Sequence, residues 1–225
     1  MIKQNNLVFQ KKMLQIPILF VVLIWFVYWF EIRFGYNFNK FGVEPRTFEG
    51  LRGILFSPFI HSNTEHLFNN SIPLFVLSLG LLYFYREVAL KVLIYGTSLT
   101  GFLTWIIARD SYHIGSSGVV YLLFSFVFFS GIFRRHFRLI AMSLVTIFLY
   151  GSMIWFVFPM EGKISWEGHL SGFLTGLFMA FLFRKRGIVK EAYQFTETEF
   201  DLLFDESGNF IQDNEEEVIS LISDE

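Results

Sequence analysis

Cysteine is absent from all 225 residues, which excludes disulfides, thiolate catalysis and Cys-based metal sites. Charge is scarce. Asp, Glu, Lys and Arg make up 17% of the chain, where a soluble domain carries roughly 25%. No phosphate loop, dinucleotide fingerprint or metal-ligand set occurs, so no cofactor or metal is implied. Basic residues stop at Lys190: all 18 Lys and Arg lie at or before it, together with only eight of the 20 acids. The other 12 acids fall between Glu191 and Glu225. What the chain has in excess is apolar surface, with 53% hydrophobic residues, 31 Phe and a mean hydropathy of +0.48. One globular core cannot bury that much, and lipid is the solvent that accommodates the rest. The expected organisation is a basic-rimmed membrane domain over residues 1–190 and an acidic tail over 191–225, disordered or partly helical.

A helix that crosses a bilayer needs about 20 mostly apolar residues. Six runs match or approach this: 14–30, 67–85, 88–108, 117–133, 139–158 and 169–183. The first follows Lys3, Lys11 and Lys12 and is followed by Glu31-Ile32-Arg33 rather than a small-residue cleavage site. It reads as an uncleaved span. The fourth and sixth are short for a crossing, which favours local bilayer thinning or water entry from one face. With the N-terminus inside, inner segments carry twelve Lys and Arg and outer segments six. That bias predicts two cytoplasmic termini and places the long 34–66 connection outside.

Polar and ionisable groups within spans are costly and tend to mark function. Three clusters of them open three different helices. His66 and Asn70, four residues apart on one helix face, follow His61-Ser62-Asn63-Thr64-Glu65. An ordinary polar helix cap accounts for that string equally well. Gly115-Ser116-Ser117-Gly118 opens the fourth span. Serine there is commonly a cap, but a nucleophile so placed faces free backbone N–H groups and the positive end of the helix dipole. Gly168, Gly172 and Gly176 form a smooth stripe at the start of the sixth span, where another helix can approach closely. Packing explains these glycines; it does not explain His169 beside them. A histidine on a closely apposed helix is what a serine hydroxyl needs for activation. By the charge bias, all three clusters lie at outer helix ends.

With these residues in view the sequence resembles the rhomboid family of intramembrane serine proteases. The likeness rests on H-x4-H-x3-N (His61, His66, Asn70), G-x-S-G around Ser117, a glycine-flanked His169, and Tyr121 four residues after the serine. It spans roughly residues 14–186. It implies an all-α, six-transmembrane-helix bundle with a membrane-associated first loop. It also implies a Ser117–His169 dyad with His66 and Asn70 as oxyanion donors, and Gly115, Gly118 and Tyr121 in support. The implied substrates are transmembrane segments of other proteins, cut near the outer membrane face. One departure stands in the first loop, where family members often carry Trp-Arg and this chain has Leu51-Arg52.

Other residues are given structural roles. His61 is read as shaping the first loop, His113, Asp110 and Glu167 as loop residues, and His136 as lying on the inner side. The basic clusters around Arg134 and Arg184 are read as topology determinants and lipid contacts, not nucleic-acid patches. Two rival functions stand against this: a catalytically dead relative, which usually lacks the serine or the histidine, and a small transporter, which calls for internal repeats that are not evident. The expected location is a bacterial cytoplasmic membrane.

Overall fold

The computed structural model describes residues 7–159, 164–188, 200, 203–204 and 207–210. Among them there is no β-strand, only isolated bridges between Val43 and His113 and between Phe204 and Phe210. The chain divides into two compact units, Met1–Lys190 and Glu191–Glu225. Most of the acidic tail, including the stretch read as disordered or partly helical, lies outside the described residues. In what is described there, Phe204 packs against both Phe200 and Phe210 across a turn at Gly208.

The first unit is an all-helical membrane protein. Its long helices are α1 (Gln15–Phe34), α2 (Thr64–Phe84), α3 (Ala89–Ile107), α4 (Ser117–Arg134), α5 (Phe137–Tyr150, prolonged by a 3-10 turn over Gly151–Val157) and α6 (Trp166–Leu182). Five of these, α1 to α5 with their extensions, are long and apolar enough to cross a bilayer. The sixth has 17 residues. At 1.5 Å per residue it reaches about 26 Å, against a hydrocarbon core of about 30 Å. A sixth crossing therefore depends on local thinning or on the turns that flank it.

Helix α4 is the axis of the bundle. Sixty-seven per cent of its apolar window is buried, against 17% for α1 and α5. Leu122, Leu123, Phe124 and Phe126, consecutive or nearly so, are all inaccessible. Burial all the way round is the pattern of a helix enclosed by others. Its closest partner is α6, and glycine sets the approach. A methyl group on Gly172 would overlap the Gly118 carbonyl oxygen, and one on Gly176 the Leu122 carbonyl oxygen. Ser125 donates to the Phe173 carbonyl at 2.7 Å across the same seam.

Two of the boundaries that differ from the sequence reading put a carboxylate inside a helix. Helix α1 continues through Glu31 and Arg33 to a left-handed Gly35 (φ 67°), because a helix ends where its backbone is capped, not where its apolar run stops. The Glu31 side chain is used there, accepting from the Phe38 N–H at 2.6 Å. Helix α6 begins three residues before His169, so Glu167 belongs to its first turn and is only 2% exposed. This corrects its reading as a loop residue. Between α1 and α2 the chain folds into 3-10 turns and one helical turn, Gly53–Phe56. That segment presents Phe48, Leu55 and Phe56 outward, an apolar edge suited to the headgroup boundary of a membrane. Arg52 lies over the Phe41 ring at 4.8 Å and donates to the Lys40 carbonyl, so this arginine staples the loop to itself.

Candidate active site

Ser117 is the first residue of α4. A helix's first N–H groups have no intrahelical acceptor. The preceding ones are already engaged: Gly115 N–H donates to the Ser57 carbonyl at 2.9 Å, and Ser116 N–H to His61 Nε2 at 3.3 Å. Among the described residues the Ser117 N–H is thus the first donor without an acceptor. Gly115 holds the turn with φ 107°, a conformation that favours glycine. A side chain there would also strike the His66 ring, 2.7 Å from Cε1 and Nε2. His66 therefore lies directly against the serine turn. Its Nδ1 faces Ser62 Oγ at 3.3 Å, and Asn70, buried one turn on, donates to the His66 carbonyl at 3.0 Å.

His169 is buried in the first turns of α6, its ring stacked on Tyr121 with centroids 4.2 Å apart and planes 14° from parallel. Its Nδ1 lies 2.9 Å from the Phe156 carbonyl oxygen. A carbonyl only accepts, so this bond assigns the proton to Nδ1 and leaves a lone pair on Nε2. The Tyr121 hydroxyl donates to the Met153 carbonyl at 2.8 Å. The 3-10 turn after α5 thus orients both members of the stack. Gly118 faces the Gly168 carbonyl across the seam, which brings the residues flanking Ser117 and His169 together. Among the described residues the Ser117 hydroxyl makes no hydrogen bond. Ser117 borders a small cavity of about 40 Å³ shared with Thr100, His113 and Ser165, with room for water.

Two histidines set aside in the sequence hold this frame. His61 accepts the Ser116 N–H, and its Nε2 also lies 3.3 Å from Ser116 Oγ. Burial, with His66 nearby, pushes its pKa from 6.5 down to about 3, so it stays a neutral acceptor. His113 receives the Ser165 hydroxyl at 2.6 Å and donates from Nε2 to the Arg109 carbonyl at 2.9 Å. Ser165 in turn caps α6 by accepting from the Gly168 N–H. His113 thereby pins the helix that carries His169, and burial lowers its pKa as well. Both are neutral when folded, whereas the unfolded chain protonates them near 6.5. Their contribution to stability is complete above about pH 6.5 and is lost as pH falls below it.

Loss of the His61 bond strands a buried N–H. His61→Ala is expected to lower unfolding stability by about 1–3 kcal/mol, read from thermal or denaturant unfolding in detergent. An unchanged midpoint would mean that Ser116 finds another acceptor. The H-x4-H spacing marked His61 in the sequence. No sequence signal marks the Phe156 carbonyl, because any residue supplies one. Glu167 accepts from the Arg109 backbone N–H at 3.4 Å and pairs with its side chain at 3.5 Å. Among the described residues, no group of acids and histidines is arranged to hold a metal ion.

The Rhomboid domain family model matches residues 49–186, which contain every residue of this site. The chain is also 32% identical over 176 residues to an uncharacterized protein of Mycobacterium tuberculosis, covering 72% of each. To an uncharacterized protein of Mycobacterium leprae it is 31% identical over 191 residues, covering 77% of this chain and 74% of that one. The chain belongs to the rhomboid family and is an integral, multi-pass membrane protein. Intramembrane serine proteolysis is the general activity of that family.

Proposed function

We propose that this chain is a serine endopeptidase that cleaves transmembrane segments of other proteins near the outer membrane face. The observation that carries the reading is the Tyr121–His169 stack with Nδ1 tied to the Phe156 carbonyl. It presents a neutral imidazole with a free Nε2, which is the form a general base must have. In catalytic dyads lacking substrate, the hydrogen bond between serine and base is often long and tightens only in the complex.

In the proposed reaction Ser117 Oγ bonds to the scissile carbonyl carbon while its proton passes to His169 Nε2. The resulting oxyanion is met by the Ser117 N–H, His66 and Asn70. Collapse breaks the C–N bond, and His169 returns the proton to the leaving amine. Water then attacks the acyl-enzyme, giving its proton to His169, and the acid product departs as Ser117 is reprotonated. The carbonyl of Phe156 takes the orienting part that a carboxylate plays in a triad. Six crossings (from the six apolar runs), cytoplasmic termini (from the Lys and Arg bias), a bacterial inner membrane and an acidic tail at 191–225 complete the proposal.

The test is co-reconstitution in liposomes with single-span fusion proteins carrying small or helix-weakening residues near their outer ends. Wild type is expected to release a fragment cut within the span, and Ser117→Ala none. Cutting only in water-exposed loops would contradict the reading. Asn70→Ala is expected to slow turnover about 10²-fold without abolishing it, since two donors remain. A loss as complete as that of the serine variant would give Asn70 a different role.

A further inference from the structure

The end of the bundle opposite Ser117 holds a second polar feature that proteolysis does not use. Arg134, the last residue of α4, is only 3% exposed. Its guanidinium lies over the Tyr85 ring at 4.9 Å and donates from Nη2 to the Phe183 carbonyl at 3.0 Å. Its Nε and Nη1 have no partner among the described residues. Leaving two N–H groups of a buried cation unpaired is costly unless a ligand takes them. Nη1 points toward Gly187: a methyl built there would sit 3.3 Å from it. Gly187 lines a cavity of about 230 Å³ shared with Arg86, Arg134, Arg186 and, as the one acid among the described residues there, Glu87. Glu87 is engaged with Arg186 at 4.0 Å, and both side chains are mostly exposed. Three arginines against one carboxylate make a site for an anion, and the planar guanidinium matches a phosphate best.

A second cavity, of about 430 Å³, adjoins the first and shares Tyr83 and Phe84 with it. Its wall along α2 is Val76, Leu79, Gly80 and Tyr83, one face of the helix, with Phe9 opposite. From Val76 to Phe84 the groove runs about 12 Å. A phosphate pocket opening into an apolar groove, at the level where spans end and basic residues cluster, has the shape and polarity of a phospholipid.

We propose that this end of the bundle binds one anionic phospholipid, its phosphate held by Arg134, Arg86 and Arg186 and one acyl chain lying along the Val76–Phe84 face of α2. Arg134 supplies the buried contact, while Arg86 and Arg186 close over the headgroup from the rim. The twelve Lys and Arg of this side would draw anionic lipid to the surface in any case. The pocket adds a fixed stoichiometry and a defined place.

Native mass spectrometry of the full-length protein, titrated with phosphatidylglycerol or phosphatidylcholine, tests this. Wild type is expected to retain one phosphatidylglycerol with a preference of roughly tenfold or more over phosphatidylcholine. Arg86→Gln/Arg186→Gln alters only the rim and is expected to lose that preference. Leu79→Trp fills the groove and is expected to weaken phosphatidylglycerol binding with every arginine in place. Glycerol phosphate, which has no acyl chain, is expected not to compete. Equal binding of the two lipids by wild type overturns the proposal, as does a preference that survives the double substitution, which would reflect basic surface in general. Competition by glycerol phosphate at concentrations near those of the lipid would make this a small-anion site and overturn the lipid assignment.

Discussion

Ser117→Ala is expected to lower cleavage of a transmembrane substrate by about 10⁴-fold or more, and His169→Ala by a similar factor, because the two act as one unit. The serine hydroxyl is a poor nucleophile without a base, and the base has no proton to take without the serine. Combining the substitutions is expected to cost little beyond either one, the signature of a shared step. Neither change is expected to unfold the protein. Ser117 makes no hydrogen bond among the described residues, and α4 is held by Leu122, Phe124 and Phe126 well below it. His169→Ala leaves Tyr121 without its stacking partner, yet Tyr121 keeps its bond to the Met153 carbonyl. Cleavage rates together with unfolding midpoints separate a chemical loss from a structural one. A Ser117→Ala variant that cuts within tenfold of wild type would remove the serine from the mechanism.

Gly172→Ala is expected to have the next largest effect, through geometry alone. The added methyl would overlap the Gly118 carbonyl oxygen, a backbone atom that cannot swing aside. Helices α4 and α6 must then separate near the ends that carry Ser117 and His169. A shift of about 1 Å in a reacting pair costs roughly 10²-fold in rate, and overpacking costs about 1–3 kcal/mol in stability. Gly80→Ala is the matched control. Its methyl meets only the Met142 Cε, the end of a flexible side chain, at 2.8 Å, and little change in rate is expected. If Gly172→Ala cleaves as fast as wild type, close approach along this seam is not what aligns the site.

The helices were legible in the sequence for a simple reason. Lipid demands long apolar runs, and each of the six runs overlaps an observed helix. Their ends were less so, since Glu31 and Glu167 extend helices that hydropathy alone would stop, using carboxylates that find backbone N–H partners. The 34–66 connection gave no periodic signal, and its turns are held by contacts between distant residues, such as the Val43–His113 bridge and Trp105 Nε1 donating to the Thr47 carbonyl. Candidate site residues stood out because ionisable groups in apolar runs are rare. His66 lies against Gly115, and Tyr121 stacks on His169. What supports them was hidden. The Phe156 carbonyl carries no residue signature, and nothing local to the loop residue His113 marks its partner, Ser165, 52 positions away.

The central claim is that Ser117 is made nucleophilic by His169. Its most direct test is to incubate the purified, detergent-solubilised protein with a fluorophosphonate and locate the adduct by peptide mass spectrometry. The account predicts phosphonylation at Ser117 in the wild type, and its loss in His169→Ala although the serine is still present. An adduct confined to another serine would contradict the account, as would Ser117 labelling at an undiminished rate without His169.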